Sequence, residues 1–413
     1  MTSTTTSRSH PSDGPAPTVP PPDSGPGWRT RLARLGVPVS QFRALSLIGV
    51  LILMWLAFQV LTDGLFLTPR NLTTLTVQVA ITALLAAGVV MIMVAGHIDL
   101  SVGSSVGFCA VFSALLVDST NGFGLALSTP MLIVATIGIG MIIGVWQGFW
   151  VAVLGVPSFI VTLGSLLGLR GLALALTDGS TVSAGNSTSF ISQTFLSANV
   201  FVPLTVALLA AFIWVKYRDF RARRSVGIEA SLTSIVLIPA ALTLVAAAAA
   251  TLVMMSYRGA PLPSAIMVVV LVLVTFILSR TRFGRSLFAI GGNAEAARYA
   301  GINARKLTFI VFVFMGALYG IAGLMLLSRT GVGSPNAGVG LELSVIGAAV
   351  IGGTSLFGGI GTATGAVFGA LLLETLINGM GLMNIDSSYQ MIVTGVVLLV
   401  AVYIDIRGRR ANA

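Results

Sequence analysis

Leu232–Met255 reads LTSIVLIPAALTLVAAAAATLVMM, a run without a single Asp, Glu, Lys or Arg. A helix needs about 20 such residues to cross the hydrocarbon core of a bilayer. Leu45–Leu61, LSLIGVLILMWLAFQVL, repeats the pattern near the other end of the chain. Neither run alternates apolar and polar residues as a barrel strand would, and backbone groups in lipid must be paired internally, so both read as helices. Further apolar runs lie near 72–95, 98–117, 130–154, 158–177, 200–216, 263–280, 307–328, 341–353, 362–382 and 390–406. The expected fold is an all-α polytopic transmembrane bundle of about twelve spans, with ten to twelve as the range. Composition agrees: 55% of residues are hydrophobic and 9% charged, against about a quarter charged in soluble domains.

The net charge of +10 is first a topology signal. With the N-terminus in the cytoplasm, alternating spans put four segments inside: the N-terminal region, Lys216–Arg224, Arg280–Lys306 and the terminal RGRR. These hold five, five, six and three basic residues, nineteen of the chain's 23, and leave Arg70, Arg170, Arg258 and Arg329 elsewhere. Such a bias follows the positive-inside rule and predicts a multi-pass plasma (inner) membrane protein with both termini cytoplasmic. No aromatic-rich basic patch accompanies the charge, so nucleic acid is not needed to explain it. The single Cys109 excludes an intrachain disulfide, and His10 and His97 are too far apart in the pattern to form a ligand set, so no metal is expected.

Residues 1–27 are rich in Pro, Ser, Thr and Gly and read as a disordered tail. The first apolar run comes too late for a signal peptide and no small-residue cleavage pattern follows it, so it is read as an uncleaved span. Residues 28–44 form a juxtamembrane interfacial segment in this reading, 45–406 the transmembrane domain, and 407–413 a cytoplasmic tail. Inside the domain, the polar stretch 284–306 (GRSLFAIGGNAEAARYAGINARK) interrupts the apolar runs. It has the grammar of a short bounded helix: Asn293 to cap the start, Glu295 at the positive end of the dipole, Gly301 to close the other end in the left-handed conformation.

Glycines spaced by four, Gly140/Gly144/Gly148 and Gly361/Gly365/Gly369, predict two ridges where helices approach closely. The strings Asp99-Leu100-Ser101-Val102 and Glu342-Leu343-Ser344-Val345 echo one another and begin spans from opposite sides, as an inverted repeat requires. Asp99, Arg170, Glu342 and Glu374 fall in or beside spans, where each needs a partner, a cavity or an interface. Arg170 has three readings: snorkelling to the outer surface, an ion pair with Glu374, or lining the pathway. Hydroxyls and amides beside glycine-rich spans can exchange hydrogen bonds with a polar solute without holding it tightly. The candidates for a translocation pathway are therefore Ser101, Ser104, Thr162, Ser165 and Asn378, joined by the charged Asp99 and Arg170.

Three segments go beyond composition: AGHIDLSVGSSVG (95–107), VPSFIVTLGSLLGLRG (156–171), and the pair Gly291–Asn303 and IGGTSLFGGIGT (351–362). With IDLSVGS, the GGN-EAAR-GIN segment, the IGAAVIGGTSLFGG block and the terminal SSYQMIVTGVVLLVAV in order, the chain resembles the permease subunits of ribose- and xylose-type ABC sugar importers over most of 72–406. VPSFIVTLGSLLGLRG, DGSTVS (178–183) and SYRGAPLP (256–263) match the xylose-type branch in particular, which also carries an extra pair of spans around 200–255.

The resemblance implies two permease copies, a cytoplasmic sugar-type ATPase that binds ATP and Mg, an external sugar-binding protein, and a monosaccharide, D-xylose or a related pentose or hexose, moved by alternating access. In such systems a coupling helix sits in a groove of the ATPase, which maps here to Gly291, Gly292, Asn293, Glu295, Ala296, Arg298, Gly301 and Asn303. The chain departs from the pattern at His97, where the family usually has Gly. The residues agree on one point: no G-x-x-x-x-G-K-[ST] loop is present, so this chain has no nucleotide cofactor of its own and is expected to be a transport subunit rather than an enzyme. The rivals are an ion-coupled secondary sugar transporter, which predicts midplane carboxylates, an intramembrane enzyme, for which no catalytic constellation is found, and an assembly protein without a transport role.

Overall fold

The computed structural model describes residues 39–120, 122–125, 127–184, 188–227 and 231–410. The N-terminal tail and most of the segment 28–44 lie outside them, as do residues 411–413. Two units divide the chain, Met1–Leu51 and Ile52–Ala413. Within the first, the described residues begin helix α1 (Val39–Leu61), which starts inside the stretch read as juxtamembrane.

The second unit is helical almost throughout. It carries α2 (Pro69–Val94), α3 (Val102–Val117), α4 (Thr129–Gly148), α5 (Ser158–Leu176), the single turn α6 (Phe190–Gln193), α7 (Ala198–Ser225), α8 (Ile238–Met255) and α9 (Leu262–Arg280). Then come α10 (Arg282–Gly292), α11 (Ala294–Tyr299), α12 (Ala304–Thr330), α13 (Leu341–Ile351), α14 (Ala363–Leu382) and α15 (Ser387–Arg410). Among the described residues, eight helices are long and apolar enough to cross a membrane, and four shorter apolar ones lie at Leu47–Leu61, Val102–Val117, Leu341–Ile351 and Ser387–Val400. Every apolar run read from the sequence is occupied by one of these helices. Two two-stranded pieces, Val182–Ser183 with Val332–Gly333 and Phe195–Leu196 with Ala260–Pro261, tie loops together.

Helix starts follow local chemistry. Thr68 caps α2 by accepting from the Asn71 amide, with Pro69 in the first turn where its missing N–H costs nothing. Pro130, Pro239 and Pro263 open α4, α8 and α9 the same way. The core is centred on α2, whose stretch Val79–Val94 is buried throughout. By contrast Phe220 is the one buried side chain described on α7 and Met254 the one on α8, so this hairpin sits at the periphery with apolar side chains turned outward.

Both glycine ridges are contact lines. A Cβ on Gly140 or Gly144 would collide with the backbone of Gly316 and its neighbours on α12, and one on Gly320 with Thr136 and Ile137 of α4. Gly365 and Gly369 lie as tightly against Gly352 and Ala348, the end of α13. Helix α4 packs on α12 and α14 packs on α2; α3 packs on α12, α4 and α5, and α13 packs on α2, α14 and α15.

Two helices are followed by a non-helical return into the bundle. After α2 the chain reverses at Gly96, whose φ is +84°, and runs through Ile98–Ser101 before α3 begins. After α12, Gly331 caps in the left-handed conformation and the chain returns through 334–340 to α13. The second return lies against the first turns of α3: Gly338 against the backbone of Gly103, and the Ala337 carbonyl against Gly107.

Candidate functional site

The polar stretch read as one bounded helix is two. Thr281 caps α10 by accepting from the Gly284 amide; Leu287 and Ile290 bury its inner face. Asn293 breaks the chain, then caps α11 by accepting from the Ala296 amide at 2.9 Å. Gly301 follows at φ +79°, and Asn303 caps α12 through the Lys306 amide at 3.0 Å. Glu295, Ala296 and Arg298 lie on α11, which buries only Ala297. Tyr299, 77% exposed, takes the Arg298 guanidinium over its ring and points its hydroxyl at Glu295. A six-residue helix has no stability of its own; the two caps and the helices that flank it hold this one.

Gly291 joins that surface to the bundle. A Cβ there would overlap the Val94 carbonyl and the Gly359 amide, and Gly358 lies against both Gly291 and Gly96. The Gly359 amide itself donates to the Val94 carbonyl at 3.0 Å. Three backbones, the end of α10, the end of α2 and the turn before α14, therefore meet with no side chain between them.

Beyond that seam the return Ile98–Ser101 is sewn in by side chains. Asp99 is fully buried and accepts from the Ser101 amide and hydroxyl, at 2.9 and 2.7 Å, and from the Tyr319 hydroxyl of α12. Gln147 of α4 donates to the Ser101 hydroxyl at 2.7 Å, and Ser105 reaches the same oxygen. From α5, Thr162 accepts from the Leu100 amide at 3.1 Å and Ser158 from the Ile98 amide at 3.2 Å. His97 is half-buried rather than solvated: Nε2 meets the Thr308 hydroxyl at 3.1 Å and the ring tilts on Phe312. Burial pulls its imidazole below the ordinary value. A buried carboxylate with several donors is stable and stiff, because removing any donor strands the others.

The structure thus brings three of the pathway candidates, Asp99, Ser101 and Thr162, into one network and adds Gln147, Tyr319, Ser105 and Ser158, which the sequence reading missed. A Gln and a Tyr within apolar helices were the available signal, since polar groups in such places need partners. The other candidates lie apart. Ser104 is half-buried on the first turn of α3. Ser165 spends its hydroxyl on the Val161 carbonyl, beside an apolar groove of about 790 Å3 between α3, α4 and α5 with Trp146 and Trp150 on its wall. Asn378 accepts from Asn71 at 2.9 Å and donates to Gln78 at 3.1 Å, tying α14 to α2.

Arg170 does not pair with Glu374. Its guanidinium reaches Asn336 at 3.5 Å and lies within electrostatic range of Glu342. Glu374 instead accepts from Thr82 and feels Arg329, because α14 packs on α2 and turns this carboxylate away from α5. Among the described residues no group of His, Cys, Asp and Glu could hold a metal ion.

Residues 71–402 match the family model described as branched-chain amino acid transport system / permease component. The xylose transport system permease protein of Escherichia coli K12 is 39% identical over 378 residues, 91% of this chain and 95% of that one. Its counterpart in Haemophilus influenzae is 42% identical over 355 residues, 86% and 93% of the two chains. The ribose import permease protein of Escherichia coli K12 is 32% identical over 360 residues, 87% and 92%. No solved structure matches.

Proposed function

The chain belongs to the permease component family of branched-chain amino acid-type transport systems, and from that premise we propose that it is the membrane-spanning subunit of an ATP-driven importer for a monosaccharide, D-xylose or a related pentose. Relatives named for xylose and ribose transport, aligned over nearly their whole length, support the sugar and favour xylose. Two copies assemble with a cytoplasmic ATPase and an external binding protein. Both termini face the cytoplasm, as does the α10–α11 surface, in keeping with the distribution of Lys and Arg.

The observation that carries the reading is the all-backbone seam at Gly291, Val94 and Gly359 beneath an exposed, doubly capped α11. An ATPase gripping Gly292, Asn293, Glu295, Arg298 and Tyr299 would push on Gly291. Gly291 can yield only by moving the end of α2 and the turn before α14. The Asp99 network then carries that movement from the return to α4, α5 and α12 in one step, as alternating access needs. The packing pattern supports an inverted repeat: exchanging α2 with α12, α3 with α13, α4 with α14 and α5 with α15 turns the contact set described above into itself.

Reconstitution with the candidate ATPase and binding protein tests the proposal. Sugar-loaded binding protein should raise ATP hydrolysis and drive uptake. Uptake by the purified permease alone under a proton gradient would sink it in favour of an ion-coupled carrier.

A further inference from the structure

Between the end of α12, the start of α15 and the return Gly338–Ser344 lies a cavity of about 310 Å3. Gln78, Arg329, Ser344, Glu374, Gln390 and Thr394 give it polar walls. Its size is at the small end of the ~300–1,000 Å3 typical of small-molecule sites. Glu374 is 8% exposed; one carboxylate oxygen accepts from Thr82, and the other takes no hydrogen bond among the described residues. Ser344 is 7% exposed, and its hydroxyl also has no hydrogen-bond partner among them. Arg329 stands at the mouth as an exposed residue, close enough to act on Glu374 but not in a salt bridge with it. The free Glu374 oxygen and the Ser344 hydroxyl are reachable from the cavity rather than sealed in the core, so an acceptor, a donor and a hydroxyl open onto one void.

We propose that this cavity is a sugar-binding station within each protomer, where one neutral polyhydroxy molecule, a monosaccharide, is held by its hydroxyls between Glu374, Arg329 and Ser344. The inference rests on the reading of the chain as a sugar permease and adds where the sugar pauses. The chemistry selects the class. A vicinal diol can donate one proton to the free Glu374 oxygen and accept from the guanidinium, which satisfies both at once. An anion would meet the carboxylate and a cation the arginine, so neither fits as well as an uncharged molecule. No Trp, Tyr or Phe lines the cavity, so there is no aromatic face on which a sugar ring could stack. Hydrogen bonds alone give a weak hold, which suits a station that must release its occupant.

The test uses the reconstituted complex with the binding protein and ATPase, D-xylose as the probe, and two permease variants. Glu374→Gln keeps the shape and removes the charge; Ser344→Val fills part of the void and adds no charge. Each should lower the maximal rate of uptake about tenfold or more, since losing a charged hydrogen-bonding group weakens binding by that order. Co-purification of ATPase and docking of the binding protein should be unchanged. A second readout is saturation-transfer NMR of D-xylose on the permease alone in nanodiscs, with signal expected for the parent chain and lost in Ser344→Val. Uptake within twofold of the parent in both variants, or no saturation transfer to the parent chain, would leave the cavity holding only water and overturn the proposal. If Glu374→Gln fails to assemble, Ser344→Val decides. A parent complex with normal uptake and unaffected variants removes the station and leaves the sugar permease standing. A parent complex with no sugar-dependent ATP hydrolysis or uptake removes both.

Discussion

The two returns into the bundle have the same outline and opposite construction. Ile98–Ser101 is tied by side chains of α4, α5 and α12, and its acid, Asp99, is fully buried. The return 334–340 makes mostly bonds to itself, such as Ala337 to Ser334 at 2.9 Å and Gly340 to Glu342 at 3.3 Å, with Arg170 to Asn336 the one long tie from another helix. It also borders the cavity that holds Glu374 and Arg329. Buried hydrogen-bond networks stiffen what they join. The contrast therefore describes a bundle with one fixed pivot, set above the α10–α11 surface, and one adaptable return that can reshape next to a void.

The largest effect is expected where the second return touches the start of α3. Gly338 has φ +79° and faces the Gly103 backbone, so Gly338→Ala combines a left-handed residue with an overlap that neither chain can relieve by turning a side chain. The conformation costs about 1–2 kcal/mol and overpacking about 1–3 kcal/mol. Thermal melting in detergent should show a loss of about 2–5 kcal/mol and poor recovery of monodisperse protein. A parent-like melting curve would mean that 334–340 is not seated on α3.

The next comparison separates them. Asp99→Ala strands the Tyr319 hydroxyl and the Ser101 amide and hydroxyl in a fully buried site, at about 1–3 kcal/mol for each group left unsatisfied. Glu342→Ala removes one 3.3 Å bond to its own Gly340, beside a partly exposed side chain, and should cost under about 1 kcal/mol. Equal losses in melting temperature would erase the distinction between pivot and adaptable return. Smaller again, Thr162→Val removes the α5 tie to Leu100 and should cost about 0.5–1.5 kcal/mol. Hydrogen exchange at Leu100 should quicken with it while exchange in α13 stays unchanged; quickening in both would mean the two are one mechanical unit.

Much of this fold is legible in the sequence because lipid imposes one rule, internal pairing, on every apolar run. The runs became helices, and Thr68, Asn293, Gly301 and Asn303 stand where cap chemistry puts them. The pivot was half legible. Asp99, Ser101 and Thr162 stood out as polar residues beside glycines, but Gln147 and Tyr319 come from helices 46 and 220 positions away from their partners. Which helices cross is decided by shape: the ridge Gly140/Gly144 finds Gly316/Gly320, which brings α4 and α12 together and leaves Tyr319 facing Asp99. The partner of Arg170 was illegible for a related reason. No composition rule says that 334–340 dips far enough into the bundle to lay Asn336 and Glu342 beside α5.

The gentlest probe of the pivot is its histidine, which stands just past α2 at the end nearest α10 and α11. Burial disfavours the imidazolium of His97, so the folded chain holds it neutral where the unfolded chain takes up a proton near the ordinary value of 6.5. A lowered folded pKa means the unfolded state binds more protons as pH falls, so the stability from neutral His97 is present above that value and lost below it. Tryptophan-monitored melting at pH 7.5 and 5.5 should show the parent losing more on acidification than His97→Gln, whose amide can still meet the Thr308 hydroxyl. The second return carries no histidine, and the chain's other one, His10, lies in the N-terminal tail, so the difference reports on the first return alone. If the two chains lose the same amount, His97 is free to take up a proton in the folded state. The return would then be looser at the end nearest α10 and α11 than the Asp99 network requires, and the contrast between pivot and adaptable return would have to be drawn at Asp99 rather than at Gly96.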